Sequence, residues 1–115
     1  MDKKELKDRT KSYALRIIKL VDALPKTTAG RAIGNQLIRS GTSVGANYRA
    51  TLRARSRIEF IAKLGVVVEE ADESAFWLEI IIESGLLKEK LVGPLLKETN
   101  ELTAIFFTTR RSSKS

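Results

Sequence analysis

The feature that most constrains this chain is a helical repeat of apolar residues that almost nothing interrupts. Between residues 29 and 53, the positions Ile33, Leu37, Gly41, Val44, Tyr48 and Leu52 recur at spacings of 4, 4, 3, 4 and 4. That is the narrow seam of a bundle helix, and a strand, whose side chains alternate with period two, has no use for it. A similar stripe runs through residues 3–24 at Leu6, Thr10, Tyr13, Ala14, Ile17, Leu20, Val21 and Leu24. Only two prolines, Pro25 and Pro94, fall in the 115 residues, and no stretch alternates long enough to argue a sheet.

Punctuation then sets the helix bounds. The first helix, 3–24, stops at Leu24 because proline disfavours the α conformation in the residue before it. The second, 29–53, takes Thr28 as its N-cap. Ser56 and Glu59 read as an S-x-x-E capping box that opens a third helix over 57–84, and Gly85 is the residue expected just past its end. A fourth, 88–110, carries Leu91, Leu95, Leu102, Ile105 and Phe106. Pro94 is tolerable there in the first turn and kinks the helix if it lies deeper. Residues 111–115 read as a frayed polar tail. Helices of about 25 residues are about 37 Å long. Joined by short loops, they predict a single all-α domain over 1–115, an antiparallel up-down-up-down four-helix bundle.

Composition excludes much chemistry. The chain has no cysteine and no histidine, so disulfides, thiolate or imidazole metal sites and nucleophile systems built on either residue are out of reach. Glu70-x-x-Glu73 invites a di-iron reading, but such bundles take Glu-x-x-His from two helices. The expectation is therefore a protein that is not an enzyme and uses no metal or cofactor. The polar start and the lack of a long apolar run predict a cytoplasmic protein with no membrane contact.

Charge is unevenly divided. Residues 1–57 carry 14 Lys/Arg against 4 Asp/Glu, whereas residues 58–115 carry 7 against 10, within a total of +7. Such asymmetry marks either a footprint for a polyanion or internal pairing of the two halves. On the second helix Arg31, Arg39, Arg49 and Arg53 fall within an arc of about 80° by 100° stepping, and Arg55 and Arg57 continue the cluster through the turn. This row is the candidate nucleic-acid interface, able to neutralise successive phosphates without reading bases. Its structural alternative is pairing with acids of the third helix, with Glu70 and Glu73 placed to reach Arg49 or Arg53. Ser43 and Asn47, one turn apart, read with these glutamates as structural polar groups that fix register. Gly41 and Gly45 indicate close helix approach.

The third helix is too apolar for one core face. Val66-Val67-Val68 and Ile80-Ile81-Ile82 each spread around most of its circumference. Val66, Val67, Trp77, Ile80 and Ile81, with Phe107 on the fourth helix, are therefore the expected self-association surface.

Four blocks of sequence carry a resemblance: Gln36 through Ala50 with its core S-V-G-A-N-Y-R, Arg55 through Leu64, Glu70 through Leu78, and Leu96 through Leu102. Together they resemble the bacterial four helix bundle family that includes proteins encoded in intervening sequences of 23S ribosomal RNA genes. They are also similar to accessory variability proteins of diversity-generating retroelements. Where many relatives have proline, this chain has Gly45. The resemblance implies an antiparallel four-helix bundle assembled as a homopentameric ring, no established enzymatic activity, and, from the retroelement relatives, binding of RNA or DNA. It also leaves room for an accessory scaffold that docks a protein such as a reverse transcriptase or nuclease.

Overall fold

Four helices make up the structure, a computed structural model that describes residues 1–115: α1 (Lys3–Asp22), α2 (Thr28–Thr51), α3 (Arg57–Glu83) and α4 (Glu89–Lys114). They run antiparallel in sequence order in a body 45 × 21 × 21 Å. The four-helix bundle expected from periodicity is what the chain forms.

Local chemistry explains the ends. Asp2 accepts from the Glu5 amide at 2.8 Å and Glu5 accepts from the Asp2 amide at 3.4 Å, a complete capping box that starts α1. The cap of α2 is Thr27, one residue earlier than expected, whose hydroxyl accepts from the Gly30 amide at 3.1 Å. Ser56 caps α3 by accepting from the Glu59 amide at 3.0 Å, but the Glu59 carboxylate takes the Arg55 amide at 3.4 Å, so only half of the expected box forms. At the far end of α3, Gly85 adopts φ +77°. There the Gly85 amide donates to Ile82 and the Leu86 amide to Ile81, the paired bonds that close a helix over a left-handed residue. Pro94 sits in the second turn of α4, where it withholds a donor from the Lys90 carbonyl.

The expected tail is not frayed: α4 continues to Lys114. Arg57 supplies the reason. Its Nε donates to the Ser113 carbonyl and its Nη2 to that of Ser115, each at 2.6 Å. A guanidinium thus satisfies carbonyls that a helix C-terminus otherwise leaves to water, and its charge suits the negative end of the dipole.

The core is built from Leu6, Tyr13, Ile17, Leu37, Val44, Leu64, Leu78, Leu102 and Phe106, among others. Val67 and Ile81 belong to it with no exposed area, so both leave the expected self-association surface. The apolar triplets of α3 are explained in part by the bundle itself: α3 packs along both α2 and α4, and Val68 and Ile82 lean on the core from the sides.

The α1–α2 pair is close because Gly41 faces Ile17; a Cβ at residue 41 would lie 2.7 Å from Ile17 Cγ1. Buried hydroxyls fix register. Ser74 donates to Ser40 at 2.9 Å between α3 and α2, and Tyr13 bonds Thr99 at 2.6 Å between α1 and α4. Ser43 and Asn47 do not play that part. Both are half-buried and bond back along α2, Ser43 to the Arg39 carbonyl and Asn47 to that of Ser43. The α1–α4 pair is the sparsest of the four neighbouring pairs. A clasp compensates: Arg9 forks onto Glu98 at 2.6 and 2.7 Å and reaches Glu101 at 2.9 Å.

Candidate nucleic-acid interface

Antiparallel topology decides which charges meet. The start of α1, the end of α2, the start of α3 and the end of α4 lie at one pole of the bundle. Residues 1–11, 49–63 and 107–115 therefore gather there, with 13 Lys/Arg against 4 Asp/Glu. Arg49, Arg53, Arg55 and Arg57 belong to this pole. So do Lys3, Lys4, Lys7 and Lys11 from α1, and Arg110, Arg111 and Lys114 from α4. Arg31 lies in the first turn of α2, at the opposite pole of a 45 Å body, and does not join them. Arg39 lies between the poles, 3.6 Å from the Glu73 carboxylate.

That pairing corrects the expected register. Glu70 and Glu73 face Arg39, not Arg49 or Arg53, because the Ser40–Ser74 bond sets α2 against α3 about one and a half to three turns away from the alignment needed. Glu70 and Glu73 thus stay clear of the pole, where Arg9 pairs with Glu98 and Glu101, Lys4 with Asp8 and Lys63 with Glu59. Among the pole's arginines Arg57 is committed to the end of α4, whereas Arg49 and Arg53 have no ion pair.

Two depressions lie on the pole. Between α1 and α2 a groove of about 400 Å³ is floored by Gly45, Ala46 and Ala14 and edged by Lys7, Lys11 and Arg49, with Asp8 also in its wall. Small floor residues let the long cationic side chains stand as walls. Around the corner, Arg53, Arg55 and Lys63 surround a shallow hollow with Glu59. Unpaired cations on either side of a backbone-lined trough can hold phosphates and exchange their counterions for them. Periodicity could not reveal this grouping, because the cations come from three separate stretches of chain. Nor could it reveal the role of Arg9, which bonds partners 89 and 92 residues away.

The outer face of α3 has a different character. Phe76 is 52% exposed and meets Trp77 edge-on, with centroids 5.0 Å apart. The indole Nε1 of Trp77 and Oε2 of Glu70 are buried without partners. Burial, with Glu73 close by, pushes the Glu70 carboxyl above its ordinary value, and Arg39 opposes the rise. Trp77 and Ile80 are half-buried, and Val66 is 40% exposed. Phe76, absent from the expected surface, is the more exposed aromatic ring on this face; its place between Ala75 and Trp77 in a dense apolar run hid it.

No helix is long and apolar enough to cross a membrane. The fold matches a crystal structure of a protein of unknown function from the S23 ribosomal protein family of Bacteroides thetaiotaomicron VPI-5482. The two agree with a TM-score of 0.85 at 30% identity, over 91% of this chain and 97% of that one. No curated protein matches the sequence. The family model of 23S rRNA-intervening sequence proteins matches residues 3–107, from the first residue of α1 into the last turns of α4. By that span and that neighbour, the chain belongs to the 23S rRNA-intervening sequence protein family.

Proposed function

We propose that this protein binds nucleic acid through the basic pole, by phosphate contacts that do not read base edges, and that it is not an enzyme. The observation that carries the reading is the convergence of thirteen cations from three chain segments, with Arg49 and Arg53 free of acidic partners. Membership of a family whose description refers to ribosomal RNA intervening sequences supports it. Each neutralised phosphate contributes about 0.7–0.9 to the slope of log affinity against log salt. Arg49→Glu with Arg53→Glu should therefore flatten that slope by about 1.5 and weaken binding at low salt, while Arg31→Glu at the other pole leaves both unchanged. A salt titration of anisotropy with labelled RNA and DNA checks this. Binding indifferent to salt, or equally lost in Arg31→Glu, would contradict the reading.

A second reading concerns protein contact. The exposed Phe76–Trp77 pair and two buried polar atoms without partners support α3 as a surface covered by protein, either another copy or an accessory partner. A ring-shaped homopentamer is the proposed assembly, and a ring would multiply a modest basic pole into avidity. Light scattering of wild type and Phe76→Ser tests it; a monomer in both would remove self-association and leave the partner.

A further inference from the structure

Phe107 stands apart from the apolar face it was expected to share. Its ring is 54% exposed, and its surroundings are cationic. The Arg111 guanidinium carbon lies 5.7 Å from the ring centroid. Beside the ring is a hollow of about 270 Å³, walled by Gly65, Glu69, Arg110, Arg111 and Lys114. Arg110 is held in place: it crosses α3 at Gly65 and donates its Nε to the Ile61 carbonyl at 3.0 Å. A Cβ at residue 65 would fall 2.9 Å from that Nε, so the missing side chain is what lets the guanidinium pass. Its terminal nitrogens have no protein acceptor. Glu69, the one acid of the hollow, has no cation within ion-pair distance.

A half-exposed ring with Arg111 over one face and Arg110 and Lys114 beside it fits a protein partner poorly, because covering it would desolvate charges that interface cores avoid. A nucleobase brings a flat apolar face, and the phosphates on either side of it bring the anions. We infer that Phe107 is a stacking platform for an unpaired base of a single-stranded polynucleotide, with Arg110, Arg111 and Lys114 on the flanking phosphates. The inference rests on the proposed nucleic-acid reading and sharpens it. In a duplex the base faces are hidden in the stack, so only the phosphate contacts remain. Stacking is tolerant of sequence, because every base has a face. Glu69 works against the phosphates and keeps the site weak.

The test is anisotropy with a labelled single-stranded RNA of about twelve nucleotides, within the footprint range of single-strand binders. Its DNA counterpart and the matching duplexes serve as comparison probes. Wild type should prefer the single strands. Phe107→Ala should weaken them about tenfold, with duplex affinity and the salt slope unchanged. Phe107→Tyr should restore binding. Arg111→Ala should instead lower the slope by about 0.7 on single strands, and Glu69→Gln should tighten both probe types. Single strands and duplexes bound alike, or Phe107→Ala without effect while the Arg49 and Arg53 reversals still lose binding, would overturn the stacking role and spare the proposed function. No binding by wild type would end both. A change of assembly mass in Phe107→Ala would return the residue to a protein contact and overturn the inference. Circular dichroism of each variant separates these outcomes from a failure to fold.

Discussion

Tyr13 shows how one buried polar residue joins packing to pH response. Its ring lies in the core and its hydroxyl meets Thr99 at 2.6 Å across the sparse α1–α4 pair. Thr99 spends its own proton on the Leu95 carbonyl at 2.7 Å, so Tyr13 is the donor between them. Burial pushes the phenol up to about 12. The sign follows. Between its ordinary value near 10 and that raised one, the unfolded chain releases the proton and the folded chain keeps it, so stability falls as pH rises. The loss is about 1.4 kcal/mol per unit, or about 2–3 kcal/mol across the window. Tyr13→Phe should cost about 1 kcal/mol at pH 7, since Thr99 keeps its other bond. It should also remove most of the alkaline slope. Tyr48, raised in the same direction by burial, leaves a residue of it. Urea unfolding of both proteins at several pH values from neutral to about 11.5 reads this out. An unchanged slope in the variant would place the titration elsewhere.

At the scale of elements, α4 owes its last turn to another helix. Arg57 occupies the first position of α3, where a positive charge opposes the helix's own dipole. Its bonds to the Ser113 and Ser115 carbonyls explain why it is tolerated there. Arg57→Ala should therefore leave the start of α3 intact and fray α4 from about Arg110 onward, for about 0.5–1 kcal/mol, given how exposed the site is. Amide exchange across 110–114 should quicken, while exchange in 57–63 holds. Equal quickening in both would mean that Arg57 serves α3 first. This contact also marks how far the sequence could be read. Four helices, the Gly85 stop and the close α1–α2 approach at Gly41 follow from periodicity and punctuation, which are local. The end of α4 depends on a residue more than fifty positions away. The α2–α3 register depends on Ser40 meeting Ser74, so pattern alone could not choose between Arg39 and Arg49 as the partner of Glu73. Val67 and Ile81 lie in the core and not on the outer face, and the pattern hides this for a related reason: in a helix apolar nearly all round, spacing does not say which side meets its own bundle.

For the whole molecule, the uneven charge of the two halves is plain in sequence, but its consequence appears only once topology brings four helix ends to one pole. About 21 Å across, that pole crowds its cations within roughly two Debye lengths at 0.1 M salt. Unpaired like charges held that close repel one another and tax the folded state. Chloride should relieve the strain. Raising NaCl from about 0.05 M to about 0.5 M should raise the melting temperature by a few degrees. In Arg49→Glu with Arg53→Glu the gain should shrink, because part of the repulsion is already gone. The same salt weakens nucleic-acid binding, so stability and affinity should move in opposite directions along one titration. A melting temperature that falls with salt would mean that surface pairs such as Lys4–Asp8 and Lys63–Glu59 dominate the balance. Repulsion at the pole would then be the smaller effect.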